Sequence, residues 1–136
     1  MRTALLLLCL TSLAACHRST SVASAAGPAY PAGVSAALIA RGDSLFNNGS
    51  CVRCHGARGV GAQNGPSLVS GAWLHHRGTP EEIARTITTG VPRTALKDAS
   101  RRFAMNPRGG PMNLSDEQVQ AVAAYVWSIS RAKTAS

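Results

Sequence analysis

Apolar residues run almost unbroken from Ala4 to Leu10, thin out over a stretch rich in Ser, Ala, Gly and Pro, and then return at helical spacing in three separate segments. The last is the clearest. In "LSDEQVQAVAAYVWSIS", Val119, Val122, Ala123, Val126 and Ile129 recur on one face. Ser115 and Gln118 make a capping box, Asp116 and Glu117 suit the positive helix start, and Leu114 with Val119 can form a hydrophobic staple. The middle segment, "TPEEIARTITTG", has Thr79 as cap, Pro80 at the first helical position, Glu82 closing a second capping box and Gly90 as stop. The first, "SAALIARGDSLFNNG", carries Leu38, Ile39, Leu45 and Phe46 at helical spacing and ends near Gly49. No alternating run reaches strand length, and "GARGVGAQNGPSLVSG" and "NPRGGPMN" read as loops. The expected architecture is all-α: about three main helices, with long loops wrapped around something.

The N-terminal run is too short to cross a bilayer, which takes roughly 20 apolar residues. With Arg2 before it and Ala14 and Ala15 after it, residues 1–15 read as a secretory signal. Its end, "LAAC", resembles a bacterial lipobox, which would make Cys16 a lipidated first residue. Cleavage at Ser24–Ala26, giving a soluble exported protein, is the alternative. Residues 16–34 then form the lipidated end and a tether, with a flexible-chain reach of about 23 Å. No function is assigned to His17 or Tyr30 within it. Residues 35–136 form the domain. Cys9 leaves with the signal, so of the four cysteines only Cys51 and Cys54 remain free for chemistry.

These two stand in "CVRCH", Cys51 to His55. The spacing allows a redox dithiol, half a zinc site, or covalent haem attachment. Zinc needs a second ligand pair at similar spacing, and the chain offers only the adjacent His75 and His76. A dithiol of the thioredoxin type expects a strand before the motif and a βαβ surround, where a helix is predicted. A domain of about a hundred residues also has difficulty burying enough apolar surface alone, which a large apolar cofactor would relieve. Haem attachment, with thioethers to both cysteines and His55 as proximal iron ligand, fits motif and context best.

Through "ARGDSLFNNGSCVRCHG", "GPSL" and "AMNPRGGPMNLSDEQVQAVAAYVWSIS", residues 36 to about 131 resemble the class I c-type cytochromes. The resemblance implies a small cytochrome c-like fold around one covalent haem c. It implies that Gly42, Phe46 and Tyr125 pack the first helix on the last. It implies that the Pro66 carbonyl accepts the His55 ring N–H and that Leu68 lines the haem. It also implies a methionine sulfur as sixth ligand. Met105 fits through "MNPRGG", although Asn106 stands where a proline is common. Met112, only two residues before the last helix's first turn, has less chain with which to reach the iron. His75 or His76 could instead give bis-histidine ligation, and Trp73 is expected at the haem edge with its indole N–H toward a propionate, the alternative being a plain core position.

Net charge is +8, or +7 once Arg2 leaves with the signal. Arg53, Arg58, Arg77, Arg93, Arg101, Arg102 and Arg108 fall in the segments expected around the haem, a field that steers acidic redox partners. An exported lipoprotein rarely meets nucleic acid, and no small-molecule substrate is evident. The expectation is therefore an electron-transfer protein, not an enzyme, anchored on the periplasmic side of a bacterial membrane. The alternatives are an electron-accepting subunit of a dehydrogenase or oxidase, or a peroxidase or gas-binding haem protein with a labile sixth ligand.

Overall fold

The computed structural model describes residues 29–131. The signal-like segment, Cys16 and most of the tether lie outside the described residues. Four helices follow in order: α1 (Ala36–Asn47), the single turn α2 (Val52–His55), α3 (Pro80–Thr89) and α4 (Asp116–Arg131). Short 3₁₀ turns occupy Ala57–Gly59, Arg93–Ala95 and Pro107–Met112. Among the described residues there is no β-strand, only two isolated bridges, Ala62 with Gly65 and Val91 with Met105. The all-α expectation holds, with α1, α3 and α4 as the three main helices.

The helix starts are set by local chemistry. Ser35 Oγ accepts the Leu38 N–H at 3.1 Å. Thr79 and Glu82 form the reciprocal capping box at α3, where Pro80 opens the helix. Ser115 and Gln118 do the same at α4, at 3.3 and 2.9 Å. Leu114 and Val119, on either side of that cap, are both buried.

Helix α4 is more enclosed than its pattern suggests. Beyond the expected apolar face, Ala121, Ala124 and Tyr125 are also buried, because α1 and α3 both pack against α4. Small side chains permit this: alanine on the extra faces lets two helices approach one. The closest approach is at Gly42, where a Cβ would collide with the Ala121 carbonyl and the Tyr125 Cβ. One turn on, Phe46 packs on Tyr125 with ring centroids 5.3 Å apart. Asn47 then donates to the Tyr125 hydroxyl at 3.0 Å and accepts the Arg58 N–H at 2.9 Å. Tyr30, read as part of the tether, sets its ring edge-on to Trp127 at 6.5 Å, so contact with the domain starts before Ser35.

Gly42→Ala tests the crossing. At an exposed helical site this change gains about 1 kcal/mol of propensity, but overpacking typically costs about 1–3 kcal/mol, and here the obstacle is backbone. The expected net result is a lower urea midpoint, with about 1–2 kcal/mol lost; an unchanged or raised midpoint would show that α1 and α4 can separate without cost.

Candidate functional site

One turn of helix brings the "CVRCH" residues together. The Cys54 and His55 amides both donate to the Cys51 carbonyl, at 3.2 and 2.9 Å, which brings the side chains at positions 51 and 54 to one side. Gly56 ends the turn at φ 72°. Both cysteines are unpaired thiols and half-buried. They border, with His55, a cavity of about 540 Å³, within the usual range of roughly 300–1,000 Å³ for ligand sites. Its apolar walls include Ile83 and Ile87 of α3, Val122 and Val126 of α4, and Leu114.

His55 is oriented by the loop that follows. Its Nδ1 lies 3.0 Å from the Pro66 carbonyl oxygen, so Nδ1 carries the proton and Nε2 is left as the basic nitrogen. Burial, opposed by that hydrogen bond, pushes its pKa below the ordinary histidine value, which favours the neutral, ligating form. The loop is drawn in tightly: Gly61 N–H donates to the His55 carbonyl at 2.7 Å and Leu68 N–H to the Gly59 carbonyl at 2.7 Å. A Cβ at Gly65 would press on the Cys54 carbonyl and the His55 ring. Leu68 borders the cavity and packs toward Gly59 beside Ile129.

Met105 borders the same cavity from a different segment. It is held by a two-bond bridge to Val91, Val91 N–H to Met105 O at 2.8 Å and Met105 N–H to Val91 O at 3.0 Å. Val91 follows directly on Gly90, the α3 stop at φ 69°, so α3 fixes where Met105 stands. Met112 is not among the residues bordering the cavity. Its sulfur accepts the Ser50 N–H at 3.1 Å and its side chain lies against Gly49 and Gly109, while Ser50 Oγ donates to the Gly109 carbonyl at 2.6 Å.

Trp73, His75 and His76 line the cavity mouth. The His76 ring stacks on Trp73 at 4.7 Å, and its Nδ1 accepts the Gly78 N–H at 3.0 Å. His75 is exposed. Gly78, at φ 84°, leaves room for the indole, with which a Cβ there would collide. Ser50, Gly90 and Val91 support the site without any signal in the sequence beyond the expected stop at Gly90; their roles arise only when distant loops meet.

The donor set fits a c-type haem: two thiols, a neutral imidazole and a thioether around apolar walls. Neither alternative fits as well. Among the described residues no three His, Cys, Asp or Glu side chains gather as a metal-binding group. Burial pushes the Cys51 thiol up, whereas reactive dithiols depend on a lowered pKa.

Fold and motif together define a cytochrome c domain, an electron-transfer class. Residues 37–126 match the family model described as cytochrome c oxidase, cbb3-type, subunit III, and the chain belongs to that family. It is 39% identical over 94 residues to the cbb3-type cytochrome c oxidase subunit FixP of Sinorhizobium medicae (strain WSM419), covering 69% of this chain and 31% of the relative. It is 34% identical over 100 residues to subunit CcoP of Azospirillum brasilense, covering 71% and 32%. The chain thus spans about a third of the length of the curated relatives it matches. Among solved structures it resembles cytochrome cL of the marine methylotroph Methylophaga aminisulfidivorans MPT, at 25% identity and a TM-score of 0.53, over 71% of this chain and 57% of that one.

Gly90→Ala should loosen Met105. A side chain there would meet the Met105 carbonyl and Pro107, in a backbone region that costs a non-glycine residue about 1–3 kcal/mol. The Val91 and Met105 amides should exchange with deuterium about tenfold faster or more, the equivalent of about 1.4 kcal/mol; parental protection at both would refute the proposed support.

Proposed function

We propose that this chain is a membrane-anchored monohaem cytochrome c that carries single electrons between redox partners on the periplasmic side of a bacterial membrane. Haem c, when bound, supplies reversible one-electron chemistry at its iron. Cys51 and Cys54 would hold it through thioethers, and His55 through Nε2 and Met105 through its sulfur would ligate its iron. Ligands held in place by the chain would let oxidation state change with little movement. Leu68 closes on the group from the loop, and Trp73 offers its indole N–H to a propionate. Cys16 carries the lipid that keeps the domain near the membrane.

The observation that carries this reading is that the two thiols, an imidazole oriented by a backbone carbonyl and one methionine border a single apolar cavity. Asp98 is the one carboxylate among the described residues at the cavity, and it is engaged by Ser100 and Arg101. Arg53 and Lys97, both exposed, stand at its border, which suits acidic protein partners. A second reading, an electron-accepting part of an oxidase complex, is favoured by the names of the relatives. The same surface serves both.

The test is an absorption spectrum of the exported, purified protein, oxidised and reduced, after denaturing extraction of loosely held haem. Haem that stays with the chain, with sharp reduced bands and a weak far-red ferric band, is expected. Met105→Ala should abolish the far-red band, whereas Met112→Leu, a volume-conserving change that costs about 1.5 kcal/mol or less, should retain it. The reverse pattern assigns the ligand to Met112; a high-spin haem in the parent protein would point to peroxide or gas chemistry.

A further inference from the structure

Arg101 holds an arrangement that a surface arginine does not need. Its Nη1 donates to three backbone carbonyls, Ala62 at 2.5 Å, Gln63 at 3.0 Å and Gly65 at 3.1 Å. Its Nε donates to Asp98 Oδ2 at 2.9 Å, and its side chain is 22% exposed. An exposed ion pair alone contributes about 0–1 kcal/mol. The two Nη1 hydrogens are shared among three carbonyls, and charge-assisted bonds of this kind are roughly twice as strong as neutral ones.

The clasp joins two segments that lie 36 to 39 residues apart in sequence. Residues 62–65 form the tight bridge immediately before Pro66, whose carbonyl orients His55. Residues 98–101 form a turn closed by Arg101 N–H to the Asp98 carbonyl at 3.1 Å, four residues before Met105. Asp98 is itself preset, accepting the Ser100 hydroxyl at 2.6 Å and the Ser100 N–H at 3.0 Å.

We infer that Arg101 is a positioning residue that couples the loop supporting His55 to the loop carrying Met105, an inference that rests on the haem-binding reading above. Disturbing the clasp loosens both axial ligands together. Lysine in its place keeps the charge but replaces the planar fork with a single ammonium, which cannot reach three carbonyls and Asp98 at once.

The experiment uses the full, haem-loaded chain and two variants, Arg101→Lys and Asp98→Asn. The first readout is exchange of the His55 Nδ1–H in the reduced protein, by NMR. The second is the affinity of the oxidised protein for added imidazole, which competes with Met105. For Arg101→Lys both should rise about tenfold, equivalent to about 1.4 kcal/mol, and Asp98→Asn should move both in the same direction by less. If Arg101→Lys fails to load, Asp98→Asn decides on the same two readouts. Both staying within twofold of the parent, or one moving without the other, overturns the coupling. A parent chain that holds no covalent haem overturns the haem reading and the coupling with it, so the two failures are distinguishable.

Discussion

The contact between Gly42 and the Ala121 carbonyl sets where everything else can stand. A helix pair normally keeps its axes apart by the width of its side chains; without a Cβ at position 42, α1 sinks onto α4. Phe46, four residues on, then falls between Tyr125 at 5.3 Å and His55 at 6.4 Å. Burial holds the Tyr125 hydroxyl above its ordinary pKa, and its oxygen accepts from Asn47. The end of α1 is thereby locked, and the chain leaving it at Asn48 has only a few residues in which to start the turn that carries the cysteines.

What α1 and α4 do for the thiols, backbone groups do for His55 and Met105, the ligands proposed above. Pro66 orients His55 through its carbonyl, and Val91 fixes Met105 through a peptide-to-peptide bridge. Main-chain supports cost little rotamer entropy, since no long side chain has to be immobilised to provide them. They demand tight turns instead, which is why glycine stands at positions 65 and 90, where a Cβ would strike the neighbouring chain. The apolar residues of α3 and α4 that border the cavity also belong to the core. In a domain of this size a planar apolar group seated there completes a core that the chain can only partly close by itself.

Helices α3 and α4 were legible because each carries its own start signal: capping boxes at Thr79 and Ser115, a proline at the first position of α3, acidic residues in the first turns; α1 was legible from the spacing of its apolar residues. The cysteine motif was legible because its chemistry is local, five consecutive residues. The burial of α4 on more than one side was not, since the apolar spacing does not single out Ala121 and Ala124 until two partner helices are placed around them. The same holds for the methionines. Chain reach distinguished Met105 from Met112 only weakly, whereas the bonding of Met112 to Ser50 depends on two loops 62 residues apart. Contacts between backbone atoms of distant loops leave no pattern of side-chain types, which is also why the Arg101 clasp could be read only as one more positive charge.

That misreading bears on partner recognition. Seven arginines in segments expected around the haem suggest a broad basic field, but of these only Arg53 and Arg101 border the cavity, and their side chains do different things. Arg101 is engaged by three carbonyls and Asp98. Arg108 donates to the Leu114 carbonyl at 2.8 Å and to Asp116 at 2.7 Å, closing the loop before α4. Arg93 donates to the Arg102 carbonyl. Their charge still contributes at long range, because a steering field sums over the whole molecule. Close contact is different: a guanidinium already paired with a carboxylate offers a partner little. Arg53, Arg58, Arg77, Arg93 and Arg102 are exposed, and of these Arg53 sits inside the cysteine motif itself and borders the cavity. On the proposed reading, the short-range part of recognition would fall to fewer residues than the charge count implies, and those nearest the site are Arg53 and Lys97.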